Sequence, residues 1–238
     1  MTTRPDFARC ELSALGQSDL RFLLERFPAP GQTYEAIAAN LRALPNTLES
    51  MLESDYVFHE IVDRREWLAD ISPFLLFNVL LRRSLGRVRT APERKTVNYI
   101  ANVLALFVRA DRLYRVQPND AETQEYIVDM LSESAQADSV RQFCIYAHVG
   151  NFTLFLTGVF PAWIDHRHRY RRRPVDRSYY TQQGQTNYHQ AALHHLAREY
   201  DLEDVFMRLA LDFEGYVRAL NHMVGTWFRS WQSQGARN

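Results

Sequence analysis

Cys144 and His148 are the thiol and imidazole that the sequence places side by side, four residues apart in an apolar stretch with helical periodicity. Residues four apart lie on one face of a helix. A thiolate activated by histidine can attack a carbonyl, and the same two atoms can begin a metal site. The sequence supplies neither an orienting partner nor an oxyanion hole, and a buried cysteine usually packs as a small apolar side chain. Packing is therefore the favoured interpretation, and the catalytic residues stay unknown.

Metal chemistry needs a complete ligand set, which the eight histidines do not provide. A carboxylate-bridged di-iron centre requires Glu-x-x-His on two helices. That motif is absent, as are His-Glu-x-x-His, Cys-x-x-Cys, Walker A and Gly-x-Gly-x-x-Gly. Asp55, His59 and Asp63 share one helical face, and His195 lies four residues before Glu199. Both sets are interpreted as surface hydrogen-bonded clusters, because an incomplete ligand count is weak evidence. No metal and no cofactor are predicted.

Anion binding is indicated by the arginine-rich segment 166–177. It carries six arginines against one acidic residue, in a chain whose 28 basic and 28 acidic residues give zero net charge. An aromatic among arginines is typical of surfaces that contact phosphates and stack on bases. The candidate anion-binding residues are Arg167, Arg169, Arg171, Arg172 and Arg173. The favoured alternative is a solvated segment that pairs with acidic helices of this chain or of a second copy. No specific nucleic-acid partner is expected.

Two motifs follow one another between residues 150 and 188. The first reads Gly-x-x-x-Leu-Phe-x-x-Gly-x-Phe-Pro from Gly150 to Pro161, and the second reads Tyr-Tyr-x-x-x-Gly-x-x-x-Tyr from Tyr179 to Tyr188. With them the chain resembles all-helical bacterial proteins that have no assigned activity. The matching pieces cover roughly a quarter of the chain. The resemblance implies a helical fold and a cytoplasmic location, and it transfers no catalytic residue.

Tyr180, Gly184 and Tyr188 fall on one helical face, so that the glycine leaves a notch between two tyrosines. A crossing helix is the favoured occupant of this notch, because core packing is the commoner use of such a stripe. A ligand is the alternative occupant. In that case the ligand-binding residues are His148, Asn151, Tyr180 and Tyr188.

Helices must position all these residues, since apolar side chains recur with a period near 3.6 along the chain. The sequence predicts an all-α protein, a single compact bundle of about eight to ten helices. Ser72 followed by Pro73 predicts a helix start, because serine accepts from free amides and proline at the first helical position loses no bond. A helix is predicted at 33–44, and the next apolar segment is expected to break near Asp55. Later helices are predicted at 74–85, 93–116, 120–133, 178–200 and 203–231, and another begins at Asp138 or Ser139 and passes Leu156 before Pro161. Residues 100–108 are expected among the most buried.

One domain over residues 1–238 is predicted, with residues 1–70 as an alternative small N-terminal subdomain. The hydrophobic content of 46% excludes a disordered chain. Two cysteines and the lack of a signal peptide indicate the cytoplasm. Gln142 to Ile164 carries no formal charge over 23 residues. Its histidine, asparagine and glycines favour a core helix over a membrane span.

The sequence leaves two functions open. The preferred hypothesis is a non-enzymatic helical protein that associates with a protein partner or with itself, because no complete catalytic constellation is found. The alternative is an enzyme or small-ligand binder with a polar site inside the bundle, around the four candidate ligand-binding residues. A packed interior favours the first hypothesis, and a large polar cavity favours the second.

Overall fold

A computed structural model describes residues 4–26, 45–63, 70–86, 90–170 and 175–228. Across these ranges the protein is all-α, as predicted: it is 78% helical, with 13 helices and no strand. The count exceeds the predicted eight to ten, because several predicted helices are divided by breaks. The helix expected at 33–44 lies outside the described residues.

The chain divides into two compact units, and one is inserted in the sequence of the other. Arg9–Val108 form the inserted unit. Met1–Ala8 and Arg109–Asn238 form the discontinuous unit. The boundaries therefore fall near residues 8 and 108, while the single domain and the alternative subdomain over residues 1–70 stay predictions.

Five helices make up the described part of the inserted unit. They are α1 (Gln17–Arg26), α2 (Pro45–Leu52), α3 (Asp55–Asp63), α4 (Pro73–Leu85) and α5 (Ala91–Phe107). The prediction for the start of α4 is confirmed: Ser72 is the N-cap, its hydroxyl accepts from the amide of Leu75, and proline follows it. Helix α4 packs against α2, α3 and α5. It is thus the central helix of this unit.

Eight helices make up the described part of the discontinuous unit. They are α6 (Ala110–Leu113), α7 (Ile127–Ser134), α8 (Ser139–Val159), α9 (Pro161–Tyr170), α10 (Arg177–Leu193), α11 (His195–Glu199), α12 (Glu203–Leu211) and α13 (Phe213–Met223). Helix α8 is capped by Asp138, whose carboxylate accepts from the amide of Arg141. It packs against α7, α9, α10 and α13. Buried residues occur all round it, which explains why its sequence is apolar on every side.

Phe143 lies at the centre of an aromatic cluster in this unit. Its ring centroid is 6.0 Å from that of Phe7, 5.9 Å from that of Tyr200 and 5.9 Å from that of Phe206. Phe7 belongs to the first eight residues of the chain, whereas the other rings come from α8 and from residues near the start of α12. The cluster therefore ties the N-terminal segment into the core of the discontinuous unit.

Four predicted helices have wrong bounds, because the apolar period continues across a break. One of them, predicted at 178–200, is divided at His194. The helix predicted to reach residue 116 ends at Phe107, and Val108, expected to be buried, is 60% exposed. The helix predicted at 120–133 begins only at Ile127, since the carboxylate of Asp120 binds Arg141 and the amide of Gln117. The last long helix is interrupted at Asp212.

In the described ranges, no single helix has both the length and the apolar composition needed to cross a membrane. The consecutive helices α8 and α9 meet that composition only when taken together, and they are bent by 92° at Phe160.

Candidate functional site

The predicted ligand-binding residues are divided between a closed core contact and the surface of α10. The Tyr188 hydroxyl donates a hydrogen bond of 2.9 Å to Oδ1 of Asn151, and both side chains are buried. Tyr180 lies two turns earlier on α10, is only half-buried and packs its ring against Tyr179. The structure thus brings Asn151 and Tyr188 together and leaves Tyr180 apart from them.

Glycines let neighbouring helices approach closely at this contact. A Cβ atom at Gly184 would lie 2.3 Å from the ring of Phe213, and one at Gly150 would lie 2.7 Å from the ring of Tyr188. Real Cβ atoms do not tolerate such distances, because packed interiors have little free volume. The notch over Gly184 therefore holds the first residue of α13, as the crossing-helix interpretation predicts.

His148 and Cys144 are buried without the charges that would make them reactive. Burial, reinforced by the positive charge of Arg112, lowers the pKa of His148 to about 3. Burial raises the pKa of the Cys144 thiol to about 11. A neutral imidazole and a neutral thiol do not form an activated nucleophile at pH 7. The geometry accordingly supports packing as the role of this pair.

Sequence reasoning missed a serine–histidine contact at the start of α8. Oγ of Ser139 lies 3.1 Å from Nε2 of His194. The other ring nitrogen, Nδ1, accepts a hydrogen bond from the amide of Leu196. A neutral imidazole that accepts at Nδ1 carries its proton on Nε2. His194 therefore donates to Ser139 through Nε2 and cannot accept the serine proton, so Ser139 is not an activated nucleophile. Nδ1 of the same ring caps α11.

Asp55, His59 and Asp63 do not form one cluster, because they bind different partners. His59 contacts Asp63 at 3.2 Å on an exposed face, whereas Asp55 forms an ion pair with Arg83. The described ranges contain no group of three or more histidine, cysteine or acidic side chains arranged to hold a metal ion.

An aromatic–arginine surface is made of Phe160, which directly precedes α9, and of Trp163 and Arg167, which belong to α9. The guanidinium of Arg167 lies 4.4 Å above the centre of the Trp163 ring, and Phe160 is 49% exposed. Trp163 and Arg167 are half-buried, and their spacing of four residues places them on one face of the helix. Over the residues that the structure describes, no carboxylate pairs with Arg167. Of the other candidate anion-binding residues, the Arg169 side chain and all of Arg171, Arg172 and Arg173 lie outside the description.

A second exposed surface precedes and opens α7. Two apolar side chains are exposed there, Tyr126 by 42% and Val128 by 60%. Glu122, Glu125 and Asp129 are exposed beside them in the sequence, and none forms an ion pair with another described residue. We call this set of five residues the acidic–apolar surface. The sequence shows a net charge of −6 over residues 119–165, but it does not show the exposure of Tyr126 and Val128, which depends on where α7 begins.

The inserted unit contains a buried arginine that sequence analysis also missed. Arg82, 3% exposed, pairs with Glu49 at 2.6 Å and with Glu53 at 3.1 Å. Its remaining donors reach the Oδ1 atoms of Asn78 and Asn98. Burial lowers the pKa of Arg82, and the two glutamates oppose that effect. The guanidinium is thus fully engaged in holding α2, α4 and α5 together.

A cleft of about 550 Å³ lies beside this network. It is lined by Leu52, Glu53, Ser54, Asp55, Phe58, Val79, Arg82, Arg83 and Gly86. Arg83 is half-exposed, pairs with Asp55 at 2.5 Å and lies 4.8 Å above the ring of Phe58. Because both side chains of the Arg83–Asp55 pair are exposed, these two charges of the lining are accessible to a ligand.

Comparison of the chain with protein-family models, with curated proteins and with solved structures finds no match.

Proposed function

We propose that the protein is a non-enzymatic binding protein that associates with an acidic protein surface through Phe160, Trp163 and Arg167. The observation that carries the proposal is the guanidinium of Arg167 stacked on Trp163. A guanidinium that lies over an aromatic ring still has N–H groups at its edge, and these can bind carboxylates in pairs. The half-exposed ring of Phe160 adds apolar contact beside it.

A protein partner is favoured over a nucleic acid by the overall charge. Nucleic-acid binding draws its affinity from many phosphate contacts and from long-range attraction. The chain has zero net charge, so that attraction is missing. An aromatic and an arginine side by side are also the residue types enriched at the centre of protein interfaces.

The test uses a fluorescently labelled 12-residue peptide of glutamates with two phenylalanines, whose binding is followed by anisotropy. We expect Trp163→Leu and Arg167→Gln each to weaken binding about tenfold, the order of a single interface anchor. Arg109→Gln is the matched control, because it removes one arginine charge from an exposed side chain of the same unit. An equal loss in the control contradicts the proposal, and so does tighter binding of a DNA oligonucleotide of the same charge.

Small-molecule binding is a second candidate, favoured by the cleft of the inserted unit. Its volume lies in the usual range for ligand sites. A zwitterion such as an apolar α-amino acid would place its carboxylate on Arg83 and its ammonium on Asp55. Ligand-observed NMR with leucine and phenylalanine tests this candidate: Arg83→Gln should abolish the signal, and Arg109→Gln should retain it.

A further inference from the structure

We infer that the acidic partner is a second copy of this chain, whose acidic–apolar surface binds the aromatic–arginine surface of the first copy. This inference rests on the proposed function, because it names the partner of the same surface. It adds a specific counterpart: Glu122, Glu125 and Asp129 around the exposed Tyr126 and Val128.

The two surfaces are complementary in charge and in apolar content. Arg167 is partly exposed and has no carboxylate partner in the described ranges, and the three carboxylates lack a cationic partner there. Exposed Phe160 and the half-buried Trp163 on one surface match the exposed Tyr126 and Val128 on the other. Complementary charges fix which surfaces meet, and buried aromatic contact then supplies affinity.

Two other described acidic side chains near these surfaces form ion pairs within the chain. Asp165 pairs with Arg177, and Asp120 pairs with Arg141, in each case within the discontinuous unit. These pairs leave the aromatic–arginine and acidic–apolar surfaces for contacts between molecules. Zero net charge means that two copies approach without mutual repulsion.

The proposed contact joins two different surfaces, so it is heterologous. Each copy offers one surface of each kind and can bind two neighbours. Such a contact produces closed rings or open chains of subunits, according to the rotation that relates one copy to the next. Assembly should therefore continue beyond a dimer as concentration rises.

The experiment uses charge-neutralised variants of the full chain, with mass photometry and sedimentation velocity as measurements. The basic-surface variant carries Trp163→Ala and Arg167→Gln. The acidic-surface variant carries Glu122→Gln, Glu125→Gln and Asp129→Asn. We expect the wild type to assemble, and each variant alone to be less than a tenth assembled at the concentration where the wild type is half assembled.

An equimolar mixture of the variants decides the inference. Each keeps one intact surface, so the mixture should form 1:1 dimers that grow no further. The double variant Glu214→Lys/Arg218→Glu is the control, since it reverses an exposed pair elsewhere in the same unit and should assemble like the wild type. Circular dichroism verifies that every variant is folded.

Different experimental outcomes overturn the proposed function and the proposed self-association. A monomeric wild type that still binds the glutamate peptide overturns self-association and keeps the acidic-partner function. A wild type that neither assembles nor binds the peptide overturns both. A mixture of variants that stays monomeric, or a control that loses assembly, overturns the pairing of these two surfaces.

Discussion

Asp6 and Arg112 form a bidentate ion pair across 106 residues of sequence, with N–O distances of 2.7 and 2.8 Å. The arginine side chain is 8% exposed and the aspartate side chain 21%. This pair fastens the N-terminal segment to α6, beside the aromatic contact between Phe7 and Phe143. It is the polar half of the attachment that keeps the first residues within the discontinuous unit.

Asp6→Asn should destabilise the protein by about 3 kcal/mol, because it leaves a nearly buried guanidinium without its counter-charge. Urea unfolding at pH 7 measures the change. Asp111→Asn, which breaks an exposed pair with Arg109, is the control and should have little effect. Equal losses of unfolding free energy in Asp6→Asn and Asp111→Asn would show that burial does not strengthen the Asp6–Arg112 pair.

Gly184→Ala should destabilise the protein by about 2 kcal/mol or more, because the new methyl group overlaps the ring of Phe213. Gly225→Ala is the matched control: no atom lies within 4 Å of its Cβ position. We expect that change to be neutral or slightly stabilising. Thermal unfolding of both variants is the measurement, and a stable Gly184→Ala protein would mean that the notch is open.

His148 should make the protein less stable as pH falls from about 6.5. Its pKa is about 3 in the folded protein, against 6.5 ordinarily, because burial disfavours the charged ring. The unfolded chain therefore binds one more proton between these values, which removes up to about 1.4 kcal/mol of stability per pH unit. His148→Gln should flatten that slope between pH 6.5 and 5 in urea titrations. An unchanged slope would show that the ring accepts a proton in the folded state.

Arg82→Gln and Arg83→Gln compare two neighbouring arginines of α4. The first change leaves the buried Glu49 without a counter-charge and should destabilise the fold by about 3 kcal/mol, whereas Glu53 keeps its contact with Arg94. The second removes an exposed pair with Asp55 and should have a small effect. Urea unfolding distinguishes them, and similar losses would contradict the network assigned to Arg82.

The sequence predicted features that depend on neighbouring residues. Ser72 and Pro73 start α4, Asp138 starts α8, and the predicted break near Asp55 separates α2 from α3. Each of these signals acts within a single turn of helix. Local chemistry was therefore enough to place them, and it also gave the all-α fold.

Contacts that span long stretches of sequence were not predictable. Arg82 lies in an apolar helix, and its partners Glu49, Asn98 and Glu53 come from other segments of the chain. The bond between Asn151 and Tyr188 joins two predicted site residues, but its closed geometry depends on how α8 packs against α10. Periodicity shows that such helices exist and does not show which side chains meet.

Insertion of Arg9–Val108 between two parts of one unit bears on how the chain folds during synthesis. The inserted unit is contiguous in sequence, so all of its residues are synthesised before Arg109. The first eight residues are synthesised earlier still, but their partners Arg112 and Phe143 are translated only after the inserted unit. The N-terminal segment therefore cannot make its native contacts until the inserted unit has been synthesised completely.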